Sequence, residues 1–219
     1  MPLNSFISER IHLMAPLFEL QNVRYQTILS YPNLHIEDKQ TTFIIGKSGC
    51  GKSTLLKFLN RTLSPTSGVL LYKGQDIQKL EPIALRQEVL LVSQAVYLFD
   101  KTIEENFEEY YHYRDLSIPS KETIQYFLAL CGADFPLDTL CTSMSGGERQ
   151  RIYLAIFLSF MPRVLLLDEP TSALDSQSSQ LVLNNLKSFC KEKSISLIIV
   201  SHDQSLTHCF ADKTIILER

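Results

Sequence analysis

A chain of 219 residues, 45% hydrophobic and 21% charged, is long enough for one large domain with its own core and falls in the ordinary soluble globular range. Its formal charge of −3 excludes the broadly basic face that nucleic-acid binding calls for, while leaving room for a local basic patch. No apolar run approaches the roughly 20 residues that cross a bilayer, and five cysteines without a CxxC or metal-ligand spacing suit reduced thiols in a cytosol.

Taken in chain order, residues 1–16 read as a separate extension, either disordered or lying ahead of a start at Met14, and Met1–Ala15 lacks the apolar stretch of a secretory signal. Residues 17–219 read as one domain. Leu17–Val23 alternates, Leu34–Glu37 is short, and Val69–Tyr72 lies between Gly68 and Gly74; together they predict an antiparallel side sheet. Thr42–Ile45, Val89–Val92, Val164–Leu167, Leu197–Val200 and Thr214–Leu217 are nearly continuous apolar runs. Such runs predict strands buried on both faces, as in a parallel sheet covered by helices. Between them Leu55, Leu56 and Leu59 share one helical face, and Val182, Leu186, Phe189 and Cys190 share another, so the order argues for an α/β fold.

Residues from about 100 to 160 form an inserted helical subdomain. Ser120 caps a helix with the stripe Ile124, Phe127, Leu128 and Cys131. Ahead of it, Tyr97, Phe99, Phe107, Tyr110, Tyr111 and Tyr113 cluster; they read as subdomain core, as anchors for a partner helix, or as a mixture of the two.

The first predicted buried strand runs into Gly46-Lys47-Ser48-Gly49-Cys50-Gly51-Lys52-Ser53-Thr54, the pattern GxxxxGK[ST] between a strand and a helix. Bare glycines let backbone N–H groups turn inward onto phosphate oxygens, and the helix N-terminus adds positive potential. Lys52 reaches the β- and γ-phosphates as a point charge, and the Ser53 hydroxyl ligates Mg²⁺. Further on, Ser145-Gly146-Gly147-Glu148 has capping-box spacing, predicting a helix through Phe160 that ends before Pro162. The strand Val164–Leu167 then delivers Asp168 and Glu169 to opposite faces. Asp168 suits a Mg²⁺ shell, and Glu169 suits the general base that activates water.

With Gln94 after one strand, Ser172–Asp175 after Glu169, and His202 after another strand, the series resembles the ATP-binding cassette family over nearly all of residues 17–217. The resemblance implies an α/β P-loop NTPase fold with a mostly parallel sheet, an antiparallel side sheet and a helical insertion. It also implies an ATPase using ATP and Mg²⁺. Lys52, Glu169 and His202 then act in catalysis, and Ser53, Gln94 and Asp168 hold the metal. In this family two copies pair head to tail, so that Ser145–Glu148 and Asp175 of one serve the nucleotide of the other. A separate transmembrane permease is the implied second partner, with the chain peripheral on the cytoplasmic face of the membrane and no nucleic acid expected. The alternative is a soluble cassette ATPase acting on DNA or the ribosome, though such relatives usually carry a coiled-coil insertion or two fused cassettes, which this chain lacks.

Met144 and Glu148 depart from the family's signature, which has leucine and glutamine there. The aromatic that stacks on adenine has its usual place at Thr27, with Tyr25 one same-face step earlier; Tyr25 is either that platform or a packed strand aromatic. The run Leu98–Asn106 resembles exporter-type cassettes, and the compact chain resembles stand-alone bacterial cassettes associated with iron or metal efflux.

Overall fold

Alternation near the N-terminus resolves into an antiparallel sheet in the computed structural model, which describes residues 16–218; what was expected of residues 1–15 lies outside the described residues. β1 (Phe18–Tyr25) buries Phe18, Leu20 and Val23 and pairs with β2 (Leu29–Ser30) and β3 (Leu34–Ile36). The chain crosses to a second sheet through β4 (Thr41–Gly46) and α1 (Lys52–Leu59), then returns with β5 (Ser67–Tyr72) and β6 (Gln75–Asp76). β5 pairs antiparallel with β1 and completes the side sheet.

Next, α2 (Pro82–Glu88) leads into β7 (Val89–Val92). Three helices follow before the sheet resumes: α3 (Ile103–His112), α4 (Lys121–Leu130) and α5 (Gly146–Ser159). Each starts on a hydroxyl cap. Thr102 and Ser145 form reciprocal boxes with Glu105 and Glu148, and Ser120 accepts from the Thr123 N–H at 3.3 Å. β8 (Val164–Asp168), α6 (Ser176–Glu192), β9 (Ser196–Val200), α7 (Gln204–Phe210) and β10 (Lys213–Leu217) end the fold.

The second sheet is parallel throughout, in the order β10-β4-β9-β8-β7. Its side chains alternate between two apolar cores. Ile44, Leu166, Ile198 and Val200 join α1 and the side sheet, while Phe43, Leu165, Leu167 and Ile199 join α3 to α6. Because both faces are covered, β8 and β9 are buried at every residue.

β10 corrects the expectation of burial on both faces. Among the described residues it pairs only with β4, at one edge of the sheet, and Lys213, Thr214 and Ile216 are exposed, Ile216 to 60%. The sequence reading also lacked α2 and α7. Each has seven residues and few buried side chains, so no apolar stripe announces it; α2 starts on Glu81 with Pro82 at its first position, and α7 starts on Asp203.

The aromatic cluster divides. Phe107 and Tyr111 are buried, and the Tyr111 hydroxyl meets both Ser159 O and Oγ at 3.0 Å. Tyr97 and Tyr113 are 62% and 71% exposed, flanking Phe99, which stacks on Tyr113.

Candidate nucleotide site

In a parallel sheet every strand delivers its following loop to the same end, so four loops far apart in sequence converge there. The loop after β4, Glu169 just past β8, the turn after β9 and Gln94 after β7 together line a cleft. That cleft holds about 410 Å³ and includes Ser48, Gly49, Gly51, Lys52, Ser53, Thr54, Gln94, Glu169 and His202.

The loop from Gly46 to Gly51 is shaped for backbone N–H groups to face inward. Gly49 and Gly51 have φ of 77° and 98°, a region costly for residues with a Cβ. At Gly51 a Cβ would also lie 2.6 Å from the Tyr31 hydroxyl, which donates to Gly51 O at 2.9 Å. Lys52 is 6% exposed, and its Nζ donates to the carbonyls of Gly46 and Lys47 at 2.9 and 3.2 Å. The loop thus wraps its own cation. Cys50 is buried beside it, Lys47 and Ser48 are exposed, and Ser53 Oγ donates to Asp168 Oδ1 at 3.0 Å. A hydroxyl and a carboxylate oxygen in contact at a phosphate-facing helix start, with the Gln94 amide on the same cleft, form a hard oxygen donor set that fits Mg²⁺.

Glu169 adopts φ 53°, uncommon for a non-glycine residue, and its N–H donates to Val200 O at 3.0 Å. This bond ties the end of β8 to β9. Its Oε1 is buried without a well-formed hydrogen bond, with His202 Nε2 3.2 Å away. Burial pushes the Glu169 carboxyl above the usual carboxylate range, opposed by the nearby His202 and Lys52. A carboxylate with one unsatisfied oxygen, facing a cleft, can accept a proton from a molecule placed there.

Ser145–Glu148 lie elsewhere. With Arg151, Ala173, Leu174 and Asp175 they line a separate cleft, and no residue lines both. The capping box is complete, with the Ser145 N–H donating to Glu148 at 2.7 Å, and Met144 packs on the helical core. At Gly147 a Cβ would come within 2.7 Å of Ala173 O, so only glycine allows α5 this close to the loop after Glu169. Asp175 caps α6: its carboxylate accepts from the Ser178 N–H at 2.9 Å and the Ser178 hydroxyl at 2.6 Å.

For Tyr25 the packed reading fits the geometry. Its ring meets Phe58 edge-on at 5.5 Å, and it is not among the residues lining the cleft, where Ile28 and Leu29 stand instead. Sequence reasoning missed both. It also missed Gln150, which is buried, donates to Glu169 O at 3.1 Å and accepts from the Ala173 N–H at 3.2 Å. A polar residue on the otherwise apolar face of the capped helix was the available signal for Gln150; for Ile28 there was none.

A strand-to-glycine-loop anion cradle, a carboxylate pair and a second helix start across the surface define a cassette-type NTPase. The ABC transporter family model matches residues 29–172, and the chain belongs to that family. It is similar to the probable iron export ATP-binding protein FetA of Escherichia coli, with 38% identity over 93% of this chain and 92% of that protein. It is also similar to the leukotoxin translocation ATP-binding protein LktB of a Pasteurella haemolytica-like species, with 35% identity over 91% of this chain but only 29% of that longer protein. Among solved structures, CbiO1 from Clostridium perfringens, part of the ABC transporter complex CbiONQ, superposes with a TM-score of 0.80 at 26% identity, covering 93% of this chain and 85% of that one. The α/β fold and ATP-hydrolysing activity follow from this membership. No helix among the described residues is long and apolar enough to cross a membrane.

Proposed function

We propose that this chain is the ATP-hydrolysing subunit of a transporter, that two copies close head to tail around two ATP·Mg²⁺, and that the pair drives a separate membrane permease exporting iron or a similar metal. The observation that carries the reading is the separation of the two clefts. The phosphate loop and Glu169 face one, the capped helix start at Ser145 faces another, and pairing two copies would bring them together. The similarity to the probable iron export protein FetA and the exporter-like Leu98–Asn106 run support the export assignment.

In this reading the inward N–H groups of Gly46 to Thr54 bind the phosphates, and Lys52 moves its ammonium from the loop carbonyls to the β- and γ-oxygens. Ser53, Asp168 and Gln94 would hold Mg²⁺, which when bound neutralises charge on the phosphate oxygens. Glu169 takes the proton of the attacking water, with its strand-to-strand hydrogen bond fixing the carboxylate's origin. His202 orients water and γ-phosphate beside it. The partner's Ser145, Gly146, Gly147 and Glu148 loop adds a second helix N-terminus only when the γ-phosphate is present, so binding closes the pair and hydrolysis loosens it. Asp175 would cross the interface and link the two sites, its carboxylate leaving its own cap on Ser178 to do so.

A pair of substitutions tests this. Ser145→Arg should leave ATP affinity of the single chain nearly intact and abolish the ATP-dependent dimer on size exclusion. Lys52→Ala should lose affinity itself. Equal loss of ATP binding in both variants would contradict the head-to-tail arrangement.

A further inference from the structure

The phosphate loop ends at Gly51, which precedes α1 and gives that helix no side-chain cap. The N–H groups of Lys52, Ser53 and Thr54 therefore lack partners within the helix, and all three residues line the cleft. The first of these groups is aimed by the Gly51 carbonyl, because a trans peptide unit holds the Lys52 N–H antiparallel to it. That carbonyl is held from two sides. It accepts the Leu55 N–H at 2.8 Å, as the first turn of the helix requires, and the Tyr31 hydroxyl at 2.9 Å. Tyr31 reaches in from the side sheet. It lies between β2 and β3, its N–H donates to Val23 O at 2.9 Å, and its ring meets Phe58 of α1 edge-on at 5.8 Å. The residue is 4% exposed, and burial pushes its hydroxyl above the ordinary phenol range, so it stays a protonated donor at neutral pH. A phenylalanine ring would fill the same space. What the hydroxyl adds is the bond to Gly51 O.

We propose that Tyr31 is a positioning residue for phosphate binding: its hydroxyl fixes the Gly51–Lys52 peptide so that the Lys52 N–H faces the phosphate oxygens before a nucleotide arrives. This deepens the nucleotide reading of the cleft and rests on it. With both lone pairs of Gly51 O engaged, turning the peptide plane breaks two hydrogen bonds instead of one. A carbonyl that accepts twice also polarises its own peptide unit, which makes the N–H a better donor to an anion. The loop needs such a brace, because Gly49 and Gly51, both at positive φ, are free to adopt other conformations. Tyr31 is not among the residues lining the cleft, so it acts through this peptide and not on the ligand.

The test is Tyr31→Phe, which keeps the ring and removes the bond, with equilibrium binding of ATP, ADP and inorganic tripolyphosphate, each with Mg²⁺. All three should bind about three- to tenfold more weakly than to the wild type, the worth of one hydrogen bond. The factor should be the same for each, because the affected N–H meets phosphate. In steady-state hydrolysis KM should rise by that factor while kcat stays within about twofold, the pattern left when binding common to ground and transition states is lost. The thermal melt of the unliganded variant should stay near that of the wild type, since Gly51 O keeps the Leu55 N–H. Unchanged affinities overturn the proposal, and a lowered melting temperature beside them would make Tyr31 a packing residue. A loss confined to ATP and ADP also overturns it, by placing the effect at the nucleoside, as does a fall in kcat with KM unchanged. If the wild type binds neither ATP nor tripolyphosphate, the nucleotide reading itself fails, and the proposal with it.

Discussion

Glu169 sits between opposing influences, burial raising its pKa and the neighbouring His202 and Lys52 lowering it, with burial dominant. A base with a raised pKa is protonated earlier as pH falls. Hydrolysis should therefore be full well above that pKa and lost on its acid side, with the limb above the ordinary carboxylate range; a pH–rate profile measures this. Glu169→Gln should keep ATP binding and lose roughly 10²–10⁴-fold in turnover, and normal turnover would sink its role as base. Glu148 shows the reverse. The Ser145 N–H and hydroxyl hold its carboxyl below the usual range, so the part of the cap that depends on its charge is present at neutral pH and is lost as pH falls through that lowered value. Glu148→Gln retains the capping box and removes a negative charge from the loop proposed to meet the partner's phosphates. Unfolding free energy should move by less than about 0.5 kcal/mol, while the ATP-dependent dimer forms at lower ATP concentration on size exclusion. A dimer needing more ATP than the wild type would contradict that placement.

Between elements, the tightest constraint is the approach of α5 to the loop after Glu169. Gly146 and Gly147 are adjacent in sequence but not alike. A Cβ on Gly146 meets nothing within 4 Å, whereas one on Gly147 lies 2.7 Å from a backbone carbonyl oxygen that cannot swing aside. Gly146→Ala should be neutral or stabilise by up to about 1 kcal/mol, the helix-propensity difference. Gly147→Ala should destabilise, because overpacking costs about 1–3 kcal/mol and outweighs the same gain. Urea melts of the two variants decide it, and equal effects would refute the close approach. The same contact explains how Gln150 can hold Glu169 O and the Ala173 N–H at once, so α5 braces the loop that carries Glu169.

At the scale of the whole molecule, the helical segment offers Tyr97, Phe99 and Tyr113 as a partly exposed aromatic patch, with Phe107 and Tyr111 in the core beneath. If a permease helix docks there, Tyr97→Ala and Tyr113→Ala should shift stability by less than about 0.5 kcal/mol. They should also leave soluble hydrolysis within a few-fold and release the protein from membranes containing its partner. Losing an aromatic anchor costs about 2 kcal/mol, roughly 30-fold in affinity, which a co-sedimentation assay resolves. Phe107→Ala should behave oppositely, lowering the melting temperature through a loss of about 3–5 kcal/mol. Wild-type protein that ignored membranes and sedimented with ribosomes or DNA would argue for a soluble cassette ATPase instead.

The parallel sheet, the phosphate loop, the carboxylate pair and the capped helix at Ser145 were all legible in the sequence. Each depends on neighbours within a few residues: a continuous apolar run, a GxxxxGK[ST] spacing, a Ser and Glu three apart. The orientation of side chains toward distant partners was not legible. Whether Tyr25 faces a base or Phe58, which aromatics are buried, and that β10 is an edge are set by what packs opposite each residue, and no local pattern encodes that. Gln150 and Ile28 belong to the same class. A buried amide joining two loops and an exposed isoleucine beside the phosphate cradle acquire meaning only when strands remote in sequence bring their ends together.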